Sequence, residues 1–481
     1  MNRRLILRLQ GASLILEAVL MLPALCIALY YQDGDALAFC QSMGILLLFG
    51  LPVFLIFKPS NRSLRPREGL VSVGLSWILL SIFGALPFFL SGAIPNFSDA
   101  LFESISGFST TGATLMQSLE TQPHGILFWR SFTLWIGGMG VLVLTLALLP
   151  QMTDRSSFLI RAESPGPGLS KMVPRMGDMA KILYLIYIAL TIVQAVAFVL
   201  AGMSAYDAVI HSMGIAGTGG FSNYSASLGH FQSRWIEGIS FGFMVLFGIN
   251  FALFYRILRG SWKDALKSEE FRWFLGILTI SILLISLLVL PQYQSFGAAL
   301  RHSAFHSASI ISTTGYTTQN LNEWHQGAKS LLLLMMFLGS CGGSTAGGLK
   351  IIRLLILGKA AKREIQHIYR PRKIQALRLD GKPLDDNLIY QTLIFFFLFV
   401  ALTLIGTLIF SMDNLFNFEV NFTTALACIG NAGAGFGMAN PATYFSLYSL
   451  PSKITMMVLM LLGRLEIFPL LVLLHPSVWR K

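Results

Sequence analysis

Ser109-Thr110-Thr111-Gly112-Ala113-Thr114 decides how this chain is read, because the stretch recurs. Its echoes are Ala216-Gly217-Thr218-Gly219-Gly220-Phe221, Ser312-Thr313-Thr314-Gly315-Tyr316-Thr317 and Gly430-Asn431-Ala432-Gly433-Ala434-Gly435. With Gly112, Gly219, Gly315 and Gly433 as the matching glycines, the spacings are 107, 96 and 118 residues. Each segment follows a half-apolar stretch too short to cross a bilayer, which takes about 20 residues, and precedes a long apolar run. Four sets of helix, short helix, glycine loop and helix in one polypeptide can surround an axis with four sets of backbone carbonyls. That is the requirement of a cation selectivity filter.

The surroundings of these loops are membrane-like. The chain has 481 residues, 54% hydrophobic and only 12% charged, with mean hydropathy +0.66. Soluble domains carry roughly 25% charged residues, so the composition specifies an all-α polytopic membrane protein. Ten segments are long and apolar enough to span, near 8–30, 37–57, 69–92, 125–150, 180–202, 236–257, 273–292, 328–350, 388–411 and 453–475. The first lacks a small-residue cleavage site and reads as a retained helix rather than a signal peptide.

The formal net charge of +12 would suit a nucleic-acid partner, but its distribution excludes one. If the ten segments span and the four short ones dip into the membrane from outside, 29 of the 35 Lys and Arg residues fall on the cytoplasmic side. Arg130, Arg234, Arg301, Lys329 and Lys453 stay outside, and Arg464 alone is left within the membrane. This sorting obeys the positive-inside rule at every loop and puts both termini in the cytoplasm. Spanning short segments would invert the later loops and destroy the bias. The four cysteines, Cys26, Cys40, Cys341 and Cys428, lie in or beside apolar segments without metal-ligand spacing and read as buried small apolar residues.

The organisation follows. Residues 1–58 form two transmembrane helices outside the repeat. Four membrane–pore-helix–membrane repeats, at 69–150, 180–258, 270–358 and 388–476, are arranged around a pseudo-four-fold pore. Basic connectors separate them, one containing Ser164-Pro165-Gly166-Pro167-Gly168 and the longest, 359–387, carrying Lys362, Arg363, Arg370, Arg372, Lys373 and Arg378. That cluster either faces anionic headgroups or a cytoplasmic partner, or serves orientation alone.

In the loops, glycine permits torsions that a β-carbon resists, so successive carbonyls can point inward and replace an ion's waters. The hydroxyls of Thr110, Thr111, Thr218, Thr313 and Thr314 add oxygen ligands or hold the loop in shape. The fourth loop diverges, with Asn431 and Ala432 ahead of Gly433. Each short helix ends at its loop, so the negative end of its dipole faces the ion path.

Further stretches carry a family resemblance: Trp129-Arg130-Ser131 with Ile136-Gly137-Gly138-Met139-Gly140, Gly339-Ser340-Cys341-Gly342-Gly343-Ser344-Thr345-Ala346-Gly347-Gly348, and Gly463-Arg464-Leu465-Glu466. Over essentially its whole length the chain resembles the Trk/Ktr/HKT cation-transporter superfamily and, within it, the bacterial Trk-type potassium-translocating subunits. The resemblance implies potassium uptake across the bacterial inner membrane, a homodimer with one pore per subunit, and a cytosolic nucleotide-binding (NAD/ATP/ADP-type) regulatory ring protein contacting the basic segments 155–181 and 359–387. No cofactor is implied for this chain; K⁺ is the transported ion. In the superfamily four intact filter glycines go with K⁺ preference, and a serine at the first goes with greater Na⁺ permeation. Ala434 stands where many relatives carry proline.

The segment 339–348 holds five glycines, which cost near ~1 kcal/mol each in a helix relative to Ala. Gly339, Gly342, Gly343, Ser344, Thr345, Gly347 and Gly348 read as a loop beneath the filter that blocks or opens the path, as the resemblance also implies. The alternative is close helix packing through small residues. An arginine near the bilayer centre costs at least ~2.5–3.5 kcal/mol on insertion scales, so Arg464 must face protein or water. Either it projects into the ion path and opposes cations, or it satisfies carbonyls of the broken helix. Glu466, two residues on, is poorly placed to pair with it. His211 and His306, in the short helices, read as anchors, with Glu103 matching His306.

The leading class is thus a channel-like K⁺ uptake protein, gated by the intramembrane loop. A proton- or sodium-coupled symporter is the alternative, since broken helices suit alternating access too. Repeats of one topology favour a single axial pore. No His-Glu-x-x-His, Gly-x-Ser-x-Gly or aspartate pair lies within the spans, so an enzyme is not expected.

Overall fold

The computed structural model describes residues 2–59, 66–140, 176–371, 376–433 and 445–476. Helices α1 (Arg3–Leu20), α2 (Leu22–Tyr31) and α3 (Ala36–Ile56) come first. Then α4 (Pro66–Gly84) and α5 (Leu86–Leu90) lead to the short α6 (Phe97–Phe108), a glycine loop and α7 (His124–Met139). The same order returns with α8 (Met176–Leu200), short α9 (Ala205–Ala216), α10 (Arg234–Gly248) and α11 (Phe251–Leu258). After α12 (Trp262–Leu266) come α13 (Glu269–Tyr293), short α14 (Phe296–Ile311), α15 (Gln326–Leu338) and α16 (Ile351–Tyr369). A two-residue antiparallel hairpin, Arg378–Leu379 with Lys382–Pro383, precedes α17 (Asp386–Met412), short α18 (Phe418–Gly430), α19 (Leu450–Arg464) and α20 (Phe468–Leu474).

The short helices start where the sequence supplies a cap. Asn96, Ser204 and Asn417 each accept a hydrogen bond from a first-turn amide of α6, α9 and α18. A helix of 12 residues, such as α6 or α9, reaches only about 18 Å, well short of a ~30 Å hydrocarbon core.

Helix contacts close a circuit. Each short helix packs on the long helix preceding it and on a helix from the group before, taken cyclically: α9 on α7, α14 on α10, α18 on α15 and α6 on α19. The N-terminal helices dock against the first group, α1 on α4 and α2 on α7. Polarity is inverted relative to a water-soluble fold. Leu48, Ile56, Phe397 and Leu408 are exposed on the outer surface, whereas Ser104, Ser106, Thr111, His211, Ser307 and Thr424 are buried inside. An apolar exterior around a polar interior fits lipid as the outer solvent.

The expectation of ten continuous spans is corrected in its second halves. Among the described residues six helical stretches are long and apolar enough to cross a membrane, or up to eight if each bent pair counts as one. The segment 236–257 breaks between α10 and α11 with a 91° bend, and 453–475 breaks between α19 and α20 with a 119° bend. The physical causes are tertiary. Asn250 caps α11 by accepting from the Ala252 amide, while Gly248 O accepts from the Cys341 amide. At the other break Glu466 and Ile467 take φ of 54° and 68°, strained for a β-branched residue, and the Glu466 carboxylate pairs with Arg353 at 2.5 Å. The segment 328–350 ends as a helix at Leu338. The span expected at 125–150 is described only to residue 140, and Ser164–Gly168 and most of the 155–181 connector lie outside the described residues, as do residues 372–375 of the long connector. Cys26 and Cys40, expected to be buried, are exposed, so only Cys341 and Cys428 fit that reading; all four are free thiols.

Candidate functional site

The four glycine loops share one backbone design. Thr110, Thr218, Thr313 and Asn431 follow their short helices with φ of 58°, 56°, 57° and 51°. Two residues later Gly112, Gly220, Gly315 and Gly433 take φ of 80°, 69°, 79° and 81°. A side chain in that left-handed region costs roughly 1–2 kcal/mol, a cost that Thr or Asn bears at the first position and that glycine avoids at the second in all four loops. The intervening amides of Thr111, Gly219, Thr314 and Ala432 donate to the carbonyls of Ser106, Gly214, Ser309 and Ala427, the same helix-terminal bond four times.

This register corrects the second loop. The counterpart of Gly112 is Gly220, and Gly219 occupies the place of Thr111 and Thr314. The reading that aligned Gly219 was one residue early, because two adjacent glycines cannot be ordered by residue type. The correction also puts His211 in register: Glu103, His211, His306 and Thr424 all stand nine residues before the positive-φ glycine.

The loops meet in cyclic order. A β-carbon on Gly112 would collide with Gly219 O, and one on Gly220 would collide with Thr314 O. On Gly315 it would come 3.1 Å from Ala432 O, and on Gly433 it would come 3.5 Å from Thr111 O. The same glycine of each loop therefore abuts the same carbonyl of the next, and the fourth closes on the first. On one side the loops floor a cavity of about 530 Å³ whose lining includes Gly112, Gly220, Gly315 and Gly433.

Side chains hold the loops from behind. Ser109 and Thr111 share a hydroxyl–hydroxyl bond of 2.8 Å, and Ser312 and Thr314 one of 2.7 Å. Thr218 donates to Gly217 O, and the Asn431 amide donates to Thr111 Oγ1 and Met460 O. Glu103 accepts from Thr114 Oγ1 and the Leu115 amide, and His211 Nε2 lies 3.0 Å from Ser222 Oγ. His306 Nε2 is 3.4 Å from Thr318 Oγ1. One position thus pins the strand after the glycine to the short helix in three loops. Ala434 and Gly435, beyond the fourth glycine, lie outside the described residues.

On the side away from the cavity, residues 339–350 form a closed loop between α15 and α16. Its neck is pinched where Gly339 and Gly348 lie back to back, and the Leu349 and Lys350 amides donate to Phe337 O and Leu338 O. Gly339, Gly343 and Gly348 have φ of 67°, 73° and 77°. The loop is bonded to its surroundings: Ser340 Oγ donates to Ile311 O, the Gly342 amide to Glu270 Oε1, and Thr345 Oγ1 to Phe247 O. Ser344 Oγ turns back onto Cys341 O, and Gly343 O accepts from the Phe251 amide. Gly347 reaches the glycine loops themselves. Its amide donates to Thr313 Oγ1 at 2.9 Å, and it is packed so tightly on Gly430 O that a β-carbon would collide.

Arg464, 6% exposed, completes this layer. Its guanidinium donates to Thr345 O at 2.8 Å, Gly137 O at 2.5 Å and Gly138 O at 2.6 Å. It joins the 339–348 loop to the end of α7, and Glu466 is engaged elsewhere, by Arg353. Arg464 thus bonds one carbonyl of the glycine-rich loop and two at the end of α7. Lys350 is buried alongside, its ammonium on Ala346 O.

Sequence reasoning missed Arg130. Charge sorting assigns it to the outer side without saying what it faces; it is 2% exposed and paired with the fully buried Glu103. The signal was present: a carboxylate in an otherwise apolar short helix demands a partner of opposite charge. Among the described residues no group of three or more His, Cys, Asp and Glu is placed to hold a metal ion.

Comparison with known proteins adds to this geometry. The family model described as TrkH, cation transport protein, matches residues 38–481. The Trk system potassium uptake protein TrkH of Escherichia coli K12 is 37% identical over 489 residues, covering both chains completely. The Trk system potassium uptake protein TrkG of the same strain is 34% identical, covering 99% of each. Among solved structures, the crystal structure of the potassium transporter TrkH from Vibrio parahaemolyticus superposes with TM-score 0.88 at 34% identity, covering 100% of both chains.

Proposed function

From the premise that this chain belongs to the TrkH family of cation transport proteins, we propose that it carries potassium into the bacterial cell through a channel-like pore. In this reading the four glycine loops are the selectivity filter and 339–348 is the gate. The protein is a helical, polytopic membrane transporter and not an enzyme. The observation that carries the proposal is the cyclic contact, in which one carbonyl of each loop lies against one glycine of the next. The potassium named in its full-length relatives supports the identity of the ion.

The repeats at 69–150, 180–258, 270–358 and 388–476 are the units around the pore axis, with 1–58 outside them. A K⁺ ion arriving in the outer cavity exchanges waters for loop carbonyls. It does so where α6, α9, α14 and α18 end, so four negative helix termini face it. Passage then requires the 339–348 loop to release Thr313 and Gly248, and Arg464 to move its positive charge aside. α16 continues directly from that loop and carries Lys359, Lys362 and Arg363, so a cytosolic nucleotide-binding ring protein pulling on α16 would act on the gate. Both termini are cytoplasmic in the inner membrane, and two subunits associate, each with its own pore.

Proteoliposomes with a K⁺ gradient but neither proton nor sodium gradient provide the test. Sustained ⁸⁶Rb⁺ uptake under these conditions is the expected result. Uptake that requires a proton or sodium gradient would instead establish the symporter.

A further inference from the structure

Arg130 lies in α7, which packs against α6 of its own group and α9 of the next. Its Nε donates to Glu103 Oε1 at 2.6 Å and its Nη1 to Ser222 O at 2.9 Å. The guanidinium carbon stands 3.6 Å from the centre of the Phe221 ring. Glu103 in turn holds Thr114 and Leu115, just beyond Gly112, and Tyr316 Oη, just beyond Gly315, donates to Phe221 O at 2.6 Å. One continuous chain of buried bonds therefore runs from the first loop through Glu103 and Arg130 to the second, and through Tyr316 to the third. Glu103 and Tyr316 are 0% and 1% exposed.

We propose that Glu103, Arg130 and Tyr316 form a positioning brace that sets the width of the filter and thereby its discrimination between K⁺ and Na⁺. The proposal rests on the reading of the loops as a filter. Arg130 does not ligate the ion; it acts through Ser222 and Phe221, fixing where the second loop stands relative to the first. Two features make the brace demanding. A guanidinium serves Glu103 and Ser222 at once through its fixed fork, whereas an ammonium cannot keep both geometries. Glu103, Arg130 and Tyr316 are buried, although Arg130, Phe221 and Ser222 also border the outer cavity, and a polar group left unpaired there costs stability. The ion pair is confined to the first group: at the position of Glu103 the other three groups carry His211, His306 and Thr424. The first three loops are thereby fixed to one another by this chain, while the fourth is joined to the first by Asn431 and Thr111.

The experiment compares K⁺ and Na⁺ flux in proteoliposomes for the unmodified protein, R130K, R130Q and Y316F, alongside thermal unfolding and size-exclusion profiles in detergent. Tyr316→Phe deletes one hydroxyl and is the variant best placed to fold. The brace predicts that folded R130Q lowers the K⁺/Na⁺ flux ratio by about tenfold, equivalent to ~1.4 kcal/mol, with R130K and Y316F lowering it less. Should the Arg130 variants fail to fold, Y316F decides. A folded R130Q, or a folded Y316F if that is the only one, with the ratio of the unmodified protein overturns the brace. An unmodified protein that does not favour K⁺ overturns the filter reading on which the brace rests, and the two failures are thus distinct.

Discussion

The four glycine loops repeat one another in their backbone, whereas the four helix ends beneath them do not. In the loops the same torsions, the same helix-terminal hydrogen bond and the same glycine-to-carbonyl approach recur four times. Below, α7 ends at Gly140 with φ of 83°, α10 breaks at an asparagine cap, α15 gives way to a ten-residue glycine-rich loop, and α19 breaks at two strained residues beside an ion pair. The difference follows from what each layer must do. If the loops are the proposed filter, their carbonyls share one ion and every loop is under the same constraint. A barrier needs only one element to occupy the path, which leaves the other ends free to diverge.

The sharpest test of the repeated layer is a pair of adjacent substitutions. Gly220→Ala puts a β-carbon at φ of 69° into Thr314 O, whereas at Gly219, which lacks a positive φ, it meets first the end of the Leu134 side chain, with Thr110 O 3.0 Å away. Overpacking against backbone costs typically ~1–3 kcal/mol or more. Selective K⁺ uptake should be lost in Gly220→Ala and largely kept in Gly219→Ala; the reverse order would break the register that makes the four loops equivalent.

The divergent layer is expected to respond in the opposite direction, with gain rather than loss. Arg464→Ala removes three charge-assisted bonds to carbonyls, each worth about 1.5–3 kcal/mol. It should raise basal ⁸⁶Rb⁺ flux while lowering the unfolding temperature. Gly347→Ala, which displaces the loop from Gly430, should raise flux by a smaller factor. Unchanged flux in a destabilised Arg464→Ala protein would leave the arginine a structural role alone.

A site remote from both layers calibrates the scale. Asp33, between α2 and α3, accepts from the His124 amide at 2.9 Å and from its ring at 2.7 Å, and the amide bond chiefly, opposed by desolvation and helped by the ring, holds its carboxyl below the usual value. A depressed carboxylate stabilises the fold above its unfolded pKa, and the benefit is lost as pH falls through the folded one. Asp33→Asn should therefore cost less than ~1 kcal/mol at neutral pH, because the pair is partly exposed, and nothing once the carboxylate is protonated. Unfolding temperatures at neutral and acid pH measure this, and ion flux should not change.

Much of this contrast is readable in the residues. The loops are legible because φ near +80° restricts the residue type, so the torsion leaves glycines in the sequence. The register of the second loop is not, since Gly219 and Gly220 both satisfy the pattern and only backbone bonds order them. The glycine-rich segment 339–348 announces its break by composition. The breaks at Ile249-Asn250 and Leu465-Glu466-Ile467 lie inside runs that read as continuous apolar helices; the Asn250 cap and the distant Cys341 act at the first, and the distant Arg353 at the second. The burial of Arg130 is illegible for a related reason. Charge counting locates a residue along the membrane normal but does not say whether it faces water or a buried carboxylate 27 residues earlier.

Ion selectivity of the unmodified protein tests the central claim most directly. In proteoliposomes under equal gradients, a filter of four glycine loops predicts K⁺ and Rb⁺ fluxes well above those of Na⁺ and Li⁺, with Gly112→Ser narrowing the gap. Equal K⁺ and Na⁺ fluxes through the unmodified protein would contradict it.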